Sequence, residues 1–261
     1  MKDTNYAFCV ARIRALENKL LTSKDIADLI DKNSYSDALR FLSEKGYDCE
    51  NDDLASIIKN ESNKLQTLLN ETVPDKKEME SLYIVNDYFN LKVLVKCAVA
   101  SENPEKYIIY PTKIDVSEFK KDNVAFSSDD DYAKIAHYAY DIALKTGNGK
   151  FCDSIIDRAA IDKLCDIAKK KKVGLLEEIC GFIADTANIK IAFRCIETAQ
   201  DSSFISESIG QCFRLNRDKL VEKTIQGSEE LVSYLETTEY KKVLLYTLQS
   251  RLSLTSGVIM N

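Results

Sequence analysis

Residues 80–97 read ESLYIVNDYFNLKVLVKC, and residues 178–195 read EICGFIADTANIKIAFRC. Aligned without a gap, the two stretches share Glu80/Glu178, Asp87/Asp185, Asn90/Asn188, Lys92/Lys190 and Cys97/Cys195. The offset is 98 residues, from 185 − 87 = 98, which is the size of a small domain. Apolar residues recur around the shared polar ones at the spacing of an α-helix. The sequence therefore predicts a repeated helical unit, with this stretch as one helix of each copy.

The composition extends the helical prediction to the whole chain. Of 261 residues only 8 are Gly and 3 are Pro, so few residues interrupt helices. We predict an all-α protein of repeated small helical domains, with units at residues 1–120, 121–205 and 206–261. The third unit is expected to be incomplete, because a third copy of the repeated helix would fall at roughly residues 280–295 by the same spacing. No apolar run reaches the ~20 residues that a membrane-spanning helix needs.

Local signals mark several helix ends and one break. Thr22 or Ser23 and Ser34 or Ser36 are suitable N-caps, and Gly46 is a natural helix stop. Residues 54–72 are expected to be helical. Residues 103–131 interrupt the pattern with two Pro residues, the short β-like sequence YIIY at 107–110, and the sequence SSDDD, which resembles a helix start. We therefore expect a domain boundary near residues 115–128.

The sequence excludes several classes of function. A net charge of −6 argues against nucleic acid as a main partner. The lone histidine, His137, has no partner at the spacing of a metal or catalytic site. The Gly-Lys pair at residues 149–150 lacks the flanking residues of a phosphate-binding loop, so a turn between helices is predicted there. The eight cysteines form no C-x-x-C pair and are expected to be reduced and structural. We expect no catalytic residue, cofactor or metal.

The repeated motif leaves two interpretations open. Asp87 and Asn90 lie three residues apart, on one helix face beside an apolar stripe, and Asp185 and Asn188 repeat this arrangement. Burying such groups is costly without hydrogen-bond partners, so they either tie the helix to neighbouring helices or form a partner-contact surface. Lys92 and Lys190 complete the motif. A weaker similarity pairs residues 24–35 with 229–240 and identifies Tyr35 and Tyr240 as possible partner contacts.

Three segments together resemble a known family. They are the N-terminal YAFCVARIRALENKLLT, then SYSDALRFLSEKGYD, then DYFNLKVLVKC. They are similar to the C subunit of the V-type (archaeal and bacterial A/V-type) ATPase or ATP synthase, which is related to the d subunit of the eukaryotic enzyme. The similarity spans Tyr6 to about Tyr240 and includes both D-x-x-N-[LI]-K helices. The chain departs from the family in its incomplete third unit.

The resemblance implies an architecture and a role. Members have three similar helical domains around a pseudo-threefold axis, in a funnel shape. They lie on the cytoplasmic face of the membrane proteolipid ring, without a transmembrane segment of their own, and receive the foot of a central shaft made by the D and F subunits. The implied role is non-catalytic torque transmission in proton or sodium transport. The alternative is a helical-repeat scaffold or regulatory binding module unrelated to the ATPase.

Overall fold

A computed structural model describes residues 6–49, 53–74, 76–114, 131–170 and 174–242. Within these residues the chain forms only helices and connecting segments, which confirms the all-α prediction. The α-helices are α1 (Ala7–Glu17), α2 (Ser23–Ile30), α3 (Tyr35–Glu44), α4 (Leu54–Thr72), α5 (Lys76–Ala100), α6 (Asp131–Thr146), α7 (Gly149–Lys169), α8 (Gly174–Glu197), α9 (Ser202–Ser208), α10 (Arg217–Gln226) and α11 (Ser228–Glu236). A 3₁₀ turn covers Glu105–Tyr107. None of the described helices has the length and low charge that crossing a bilayer requires.

The predicted helix ends are largely confirmed. The Thr22 side chain accepts a hydrogen bond from the backbone N–H of Asp25, whose carboxylate accepts one from the Thr22 N–H, forming a capping box. Ser34 caps α3. Gly46 lies two residues beyond the end of α3 and has a φ of +93°, the left-handed conformation that ends helices. α4 has the predicted bounds, and residues 146–149 form the predicted turn. The expected boundary at 115–128 and residues 127–130 of the SSDDD sequence lie outside the described residues, whereas its last residue, Asp131, is the first residue of α6.

The chain divides into two compact units. The first comprises Met1–Val93 and Asn103–Glu118, and the second comprises Leu94–Glu102 and Phe119–Asn261. α5 therefore contributes residues to both. The division into three units at 1–120, 121–205 and 206–261 stays a prediction.

The first unit has a small core with polar links around it. Ile57 of α4 and the α5 residues Tyr83, Ile84, Tyr88 and Leu91 are buried. On the periphery, Lys45 after α3 forms an ion pair with Asp25 of α2, at 2.5 Å. The hydrogen bond from Lys45, helped by those from Thr22, holds the pKa of Asp25 well below its usual value. Many apolar side chains of α1 to α3 are nevertheless exposed, such as Phe8 and Ile30.

The second unit has a larger core built mainly on α8. α7 packs against both α6 and α8, and α6 faces inward with the small residues Ala133, Ala136, Ala139 and Ala143. α8 also packs against α9 and α10, and α10 packs against α11. Their shared core consists of Ala192, Cys195, Ile205, Ile209, Leu215, Leu220, Leu231, Leu235 and Tyr240. The segment between α9 and α10 crosses this core, which places it against the repeated motif of α8.

Candidate functional site

Asp185 of α8 holds the backbone that enters α10. Its side chain is fully buried. Oδ1 accepts a hydrogen bond from the Phe213 N–H, at 2.8 Å, and Oδ2 accepts bonds from the N–H groups of Arg214, at 2.8 Å, and Leu215, at 3.3 Å. The Tyr240 hydroxyl donates a fourth bond to Oδ2, also at 2.8 Å. Four donors around one carboxylate compensate for the water that burial removes.

Asn188 lies one turn further along α8 and holds the same segment closer to α9. Its side-chain Oδ1 accepts a hydrogen bond from the Gly210 N–H, at 2.9 Å, and its Nδ2 donates to the Gln211 carbonyl, at 2.8 Å. The amide thus pairs with backbone as a neighbouring β-strand would. Asp185 and Asn188 together form what we call the second clamp, which fixes residues 210–215 on α8.

Asp87 and Asn90 of α5 form the first clamp in the same way. Asn90 accepts a hydrogen bond from the Ile109 N–H and donates to the Ile109 carbonyl, both at 2.9 Å. Oδ1 of Asp87 accepts bonds from the Thr112 hydroxyl, at 2.6 Å, and the Lys113 N–H, at 2.8 Å. Asp87 and Asn90 are fully buried, like Asp185 and Asn188. The YIIY sequence therefore contributes an extended backbone that pairs with an asparagine side chain, and no strand forms there.

The two copies also match beyond the aligned sequence. After α5 the Glu102 N–H donates to the Cys97 carbonyl, and after α8 the Gln200 N–H donates to the Cys195 carbonyl, each at 2.9 Å. This is the hydrogen bond of a Schellman C-cap, and Ser101 and Ala199 supply the left-handed residue, with φ of 57° and 49°. All of these pairs keep the offset of 98 residues. The structural repeat is therefore a motif helix, a C-cap and a clamped segment.

The clamped segments begin at different distances from the motif. The Asn90 partner, Ile109, lies 19 residues further along the chain, and the Asn188 partner, Gly210, lies 22 residues further. Between the C-cap and the clamp, the first copy has the 3₁₀ turn Glu105–Tyr107 and the second has the seven-residue helix α9. The second copy therefore accommodates three additional residues, about one helical turn, without changing the clamp.

Two glycines allow the second segment to lie close to α7 and α8. A Cβ at Gly210 would lie 2.8 Å from Cγ2 of Ile161 and 2.9 Å from Oδ1 of Asp162. A Cβ at Gly181 of α8 would overlap the ring of Phe213. Asp162 also accepts a hydrogen bond from the Gln211 N–H, at 2.6 Å. Glycine at these positions is a packing requirement.

The other residues singled out in the sequence lie in different environments. Lys92 is half-buried and Lys190 is exposed, so neither is part of the buried clamp. Tyr35 begins α3 and is 55% exposed, as a partner contact would require. Tyr240 is only 5% exposed, its hydroxyl bonds to Asp185, and its ring lies edge-on to Phe182. Its side chain therefore serves the protein interior, which corrects our expectation of a partner contact there.

The clamps hold structure and offer no open chemical site. The clamp carboxylates are fully buried and bonded to backbone and hydroxyl donors, so a substrate cannot reach them. Burial raises the pKa of the nearby Cys165 and Cys212 thiols to about 12, which keeps them protonated and unreactive near neutral pH. No group of three or more His, Cys, Asp or Glu suited to a metal occurs among the described residues. His137 is exposed on α6.

Sequence reasoning identified the clamp donors and acceptors on the helices but missed what they bind. The partners are mostly backbone groups of residues 109–113 and 210–215, which carry no side-chain signature. One signal was available. In a chain with so few glycines and prolines, Pro111 and Gly210 stand within these two segments.

A comparison with known protein families finds one that matches most of the chain. A family model described as ATP synthase (C/AC39) subunit matches residues 9–256, a range that includes both clamps. No curated protein matches the chain, and no solved structure matches it.

Proposed function

The chain belongs to the ATP synthase (C/AC39) subunit family, and from this premise we propose that it is a non-catalytic central-stalk subunit of a V-type ATPase or ATP synthase. In this role it is a socket that links the rotor shaft to the membrane proteolipid ring. It couples ATP hydrolysis or synthesis to proton or sodium transport by transmitting rotation. The observation that carries the proposal is the family match from residue 9 to residue 256.

The construction of the clamps supports a mechanical role. A torque-transmitting protein must resist relative movement of its helices, and connecting segments are normally the most mobile parts of a helical protein. Here two such segments are bonded to buried side chains of α5 and α8. Charge-assisted hydrogen bonds in a site without water are stronger than those at a surface. The proposed function therefore uses the clamps to stiffen each unit.

The proposal includes the arrangement and partners of the complex. As the family resemblance implies, the D and F subunits of the central shaft bind the protein on one side, and the proteolipid ring carries it at the cytoplasmic face of the membrane. Exposed aromatic side chains such as Tyr35 are suited to such interfaces, where aromatic residues often contribute most of the binding energy.

A binding experiment tests the proposal. The full chain is mixed with a purified heterodimer of the D and F subunits, and separately with a detergent-solubilised proteolipid ring. We expect co-elution with both and no ATP turnover by the chain alone. Tyr35→Ala should weaken one of the two interactions roughly tenfold. Tyr138→Ala is a matched control on α6, since Tyr138 has a similar exposure of 58%. A chain that binds neither partner would support the unrelated scaffold instead.

A further inference from the structure

A small cavity lies between α7, α8 and α9 of the second unit. Its volume is about 150 Å³. An engineered cavity of roughly this volume in another protein holds benzene, so there is room here for about six non-hydrogen atoms. Pockets for drug-sized ligands are larger, at roughly 300–1,000 Å³. The size of the cavity therefore suits a small molecule and excludes a peptide or a nucleotide.

The cavity has an apolar floor and a charged mouth. Ile191, Cys195 and Phe204 supply apolar surface, and Cys195 is buried. Lys150 of α7 and Arg194 of α8 also line the cavity, and both are exposed, which places them at its mouth. This arrangement suits a ligand with a charged group at one end and a short apolar chain at the other.

The two cations at the mouth have no ion-pair partner in the part of the chain that the structure describes. Neither Lys150 nor Arg194 forms a side-chain hydrogen bond there. The cavity wall also carries Asp153 and Asp157. Asp153 is neutralised by Lys96 of α5, whose Nζ lies 2.7 Å from its Oδ1. The three cations therefore outnumber the two carboxylates, and the positive potential that results attracts an anion.

The repeat indicates which anion a cation at this position binds. Arg194 is the equivalent of Lys96 at the offset of 98 residues that relates the two copies. In the first copy Lys96 contacts both oxygens of the Asp153 carboxylate, at 2.7 and 2.8 Å. In the second copy Arg194 lines the cavity instead. A guanidinium can bind a carboxylate through two parallel hydrogen bonds, so Arg194 is suited to the same chemical group.

We propose that this cavity binds a small aliphatic carboxylate. The carboxylate accepts hydrogen bonds from the Arg194 guanidinium, with Lys150 as a second positive charge. The short aliphatic chain packs on Ile191 and Phe204. Because the walls come from three helices, the bound molecule stabilises the packing of α7, α8 and α9. This site is independent of the function proposed above.

An NMR titration of the full chain tests the site, with butyrate as the probe. Butyrate, at about six non-hydrogen atoms, matches the volume of the cavity. We expect saturable binding with a Kd in the roughly millimolar range that so few atoms allow. The amides of residues 150–157 and 191–208 should shift. Butan-1-ol and butylammonium carry the same chain without the negative charge, and each should bind at least about tenfold more weakly.

Variants of Arg194 test the role of its charge. Arg194→Ala should weaken butyrate binding about tenfold, and Arg194→Lys, which keeps the charge, should retain most of it. The side chain is exposed, so neither change should unfold the protein. Lys190→Ala is the matched control, because Lys190 lies one turn earlier on α8, is exposed and does not line the cavity. It should leave butyrate binding unchanged.

Three results would overturn the proposal. Butyrate could shift no amides around the cavity, or it could bind Arg194→Ala as tightly as the unmodified protein. Butan-1-ol could bind as tightly as butyrate, which would show that the cavity selects the apolar chain alone. Tighter binding of butyl phosphate than of butyrate would also overturn it, because that result would assign the cavity to phosphate esters.

Discussion

Replacing Asp185 by Asn is the most direct test of the second clamp. Asn has nearly the same shape as Asp but offers one carbonyl oxygen and an NH2 group. With its oxygen in place of Oδ2, the substituted amide would keep an acceptor for Arg214, Leu215 and Tyr240. Its NH2 group would then face the Phe213 N–H, so two donors would point at each other.

The expected loss of stability follows from these bonds. A buried donor left without an acceptor costs about 1–3 kcal/mol, and each remaining bond becomes neutral and about half as strong. Removing a buried charge also removes its desolvation cost, which offsets part of the loss. We expect Asp185→Asn to lower the free energy of unfolding by about 2–4 kcal/mol, a large share of the 5–15 kcal/mol typical of domains.

Urea unfolding followed by circular dichroism measures the loss, and hydrogen exchange locates it. The amides of residues 213–215 should exchange faster than those of α7. Asp218→Asn is the control, since that side chain is 93% exposed and its change should stay within about 0.5 kcal/mol. If Asp185→Asn unfolds at the same urea concentration as the unmodified protein, the clamp contributes nothing to stability and our reasoning fails.

Two further predictions concern the same segment. Gly210→Ala should lower the free energy of unfolding by about 1–3 kcal/mol, because its Cβ would press on Ile161 and Asp162. Gly149→Ala is the control and should leave the free energy of unfolding unchanged, because a Cβ there meets open space. Equal unfolding midpoints for the two variants would contradict the close approach at Gly210. Burial and the bond to Asp185 raise the pKa of Tyr240 above its ordinary 10.0, so its contribution to stability is complete below pH 10 and declines as the pH rises further. Urea midpoints measured between about pH 9.5 and 11 should therefore fall less steeply for Tyr240→Phe than for the unmodified protein, and parallel curves would count against this.

The sequence was sufficient for features that depend on near neighbours. The bounds of α4, the capping box at Thr22 and the stop at Gly46 follow from residues within one or two turns of each other. The helical state of both motif copies followed from apolar spacing in the same way.

Long-range contacts could not be predicted from the sequence, for a physical reason. The hydroxyl of Tyr240 reaches Asp185 across 55 residues of chain, and no local pattern links the two. Backbone N–H groups are chemically alike at nearly every residue, so the choice of residues 213–215 as partners depends on how α9 directs the chain. The polar motif could be recognised as costly to bury, but its partners required the folded structure.

The unequal lengths before the two clamps bear on how this protein could change over time. Each clamp fixes the end of its connecting segment, and each C-cap fixes the beginning, at Glu102 and Gln200. The first copy spans this stretch with a 3₁₀ turn and the second with α9, so its length differs between the copies without changing either clamp. After a duplication, this stretch is where the copies are free to diverge in length, and the three additional residues before Gly210 are a difference of that kind. In the first copy, residues 104–108 are therefore a place where a protein engineer can insert a short peptide.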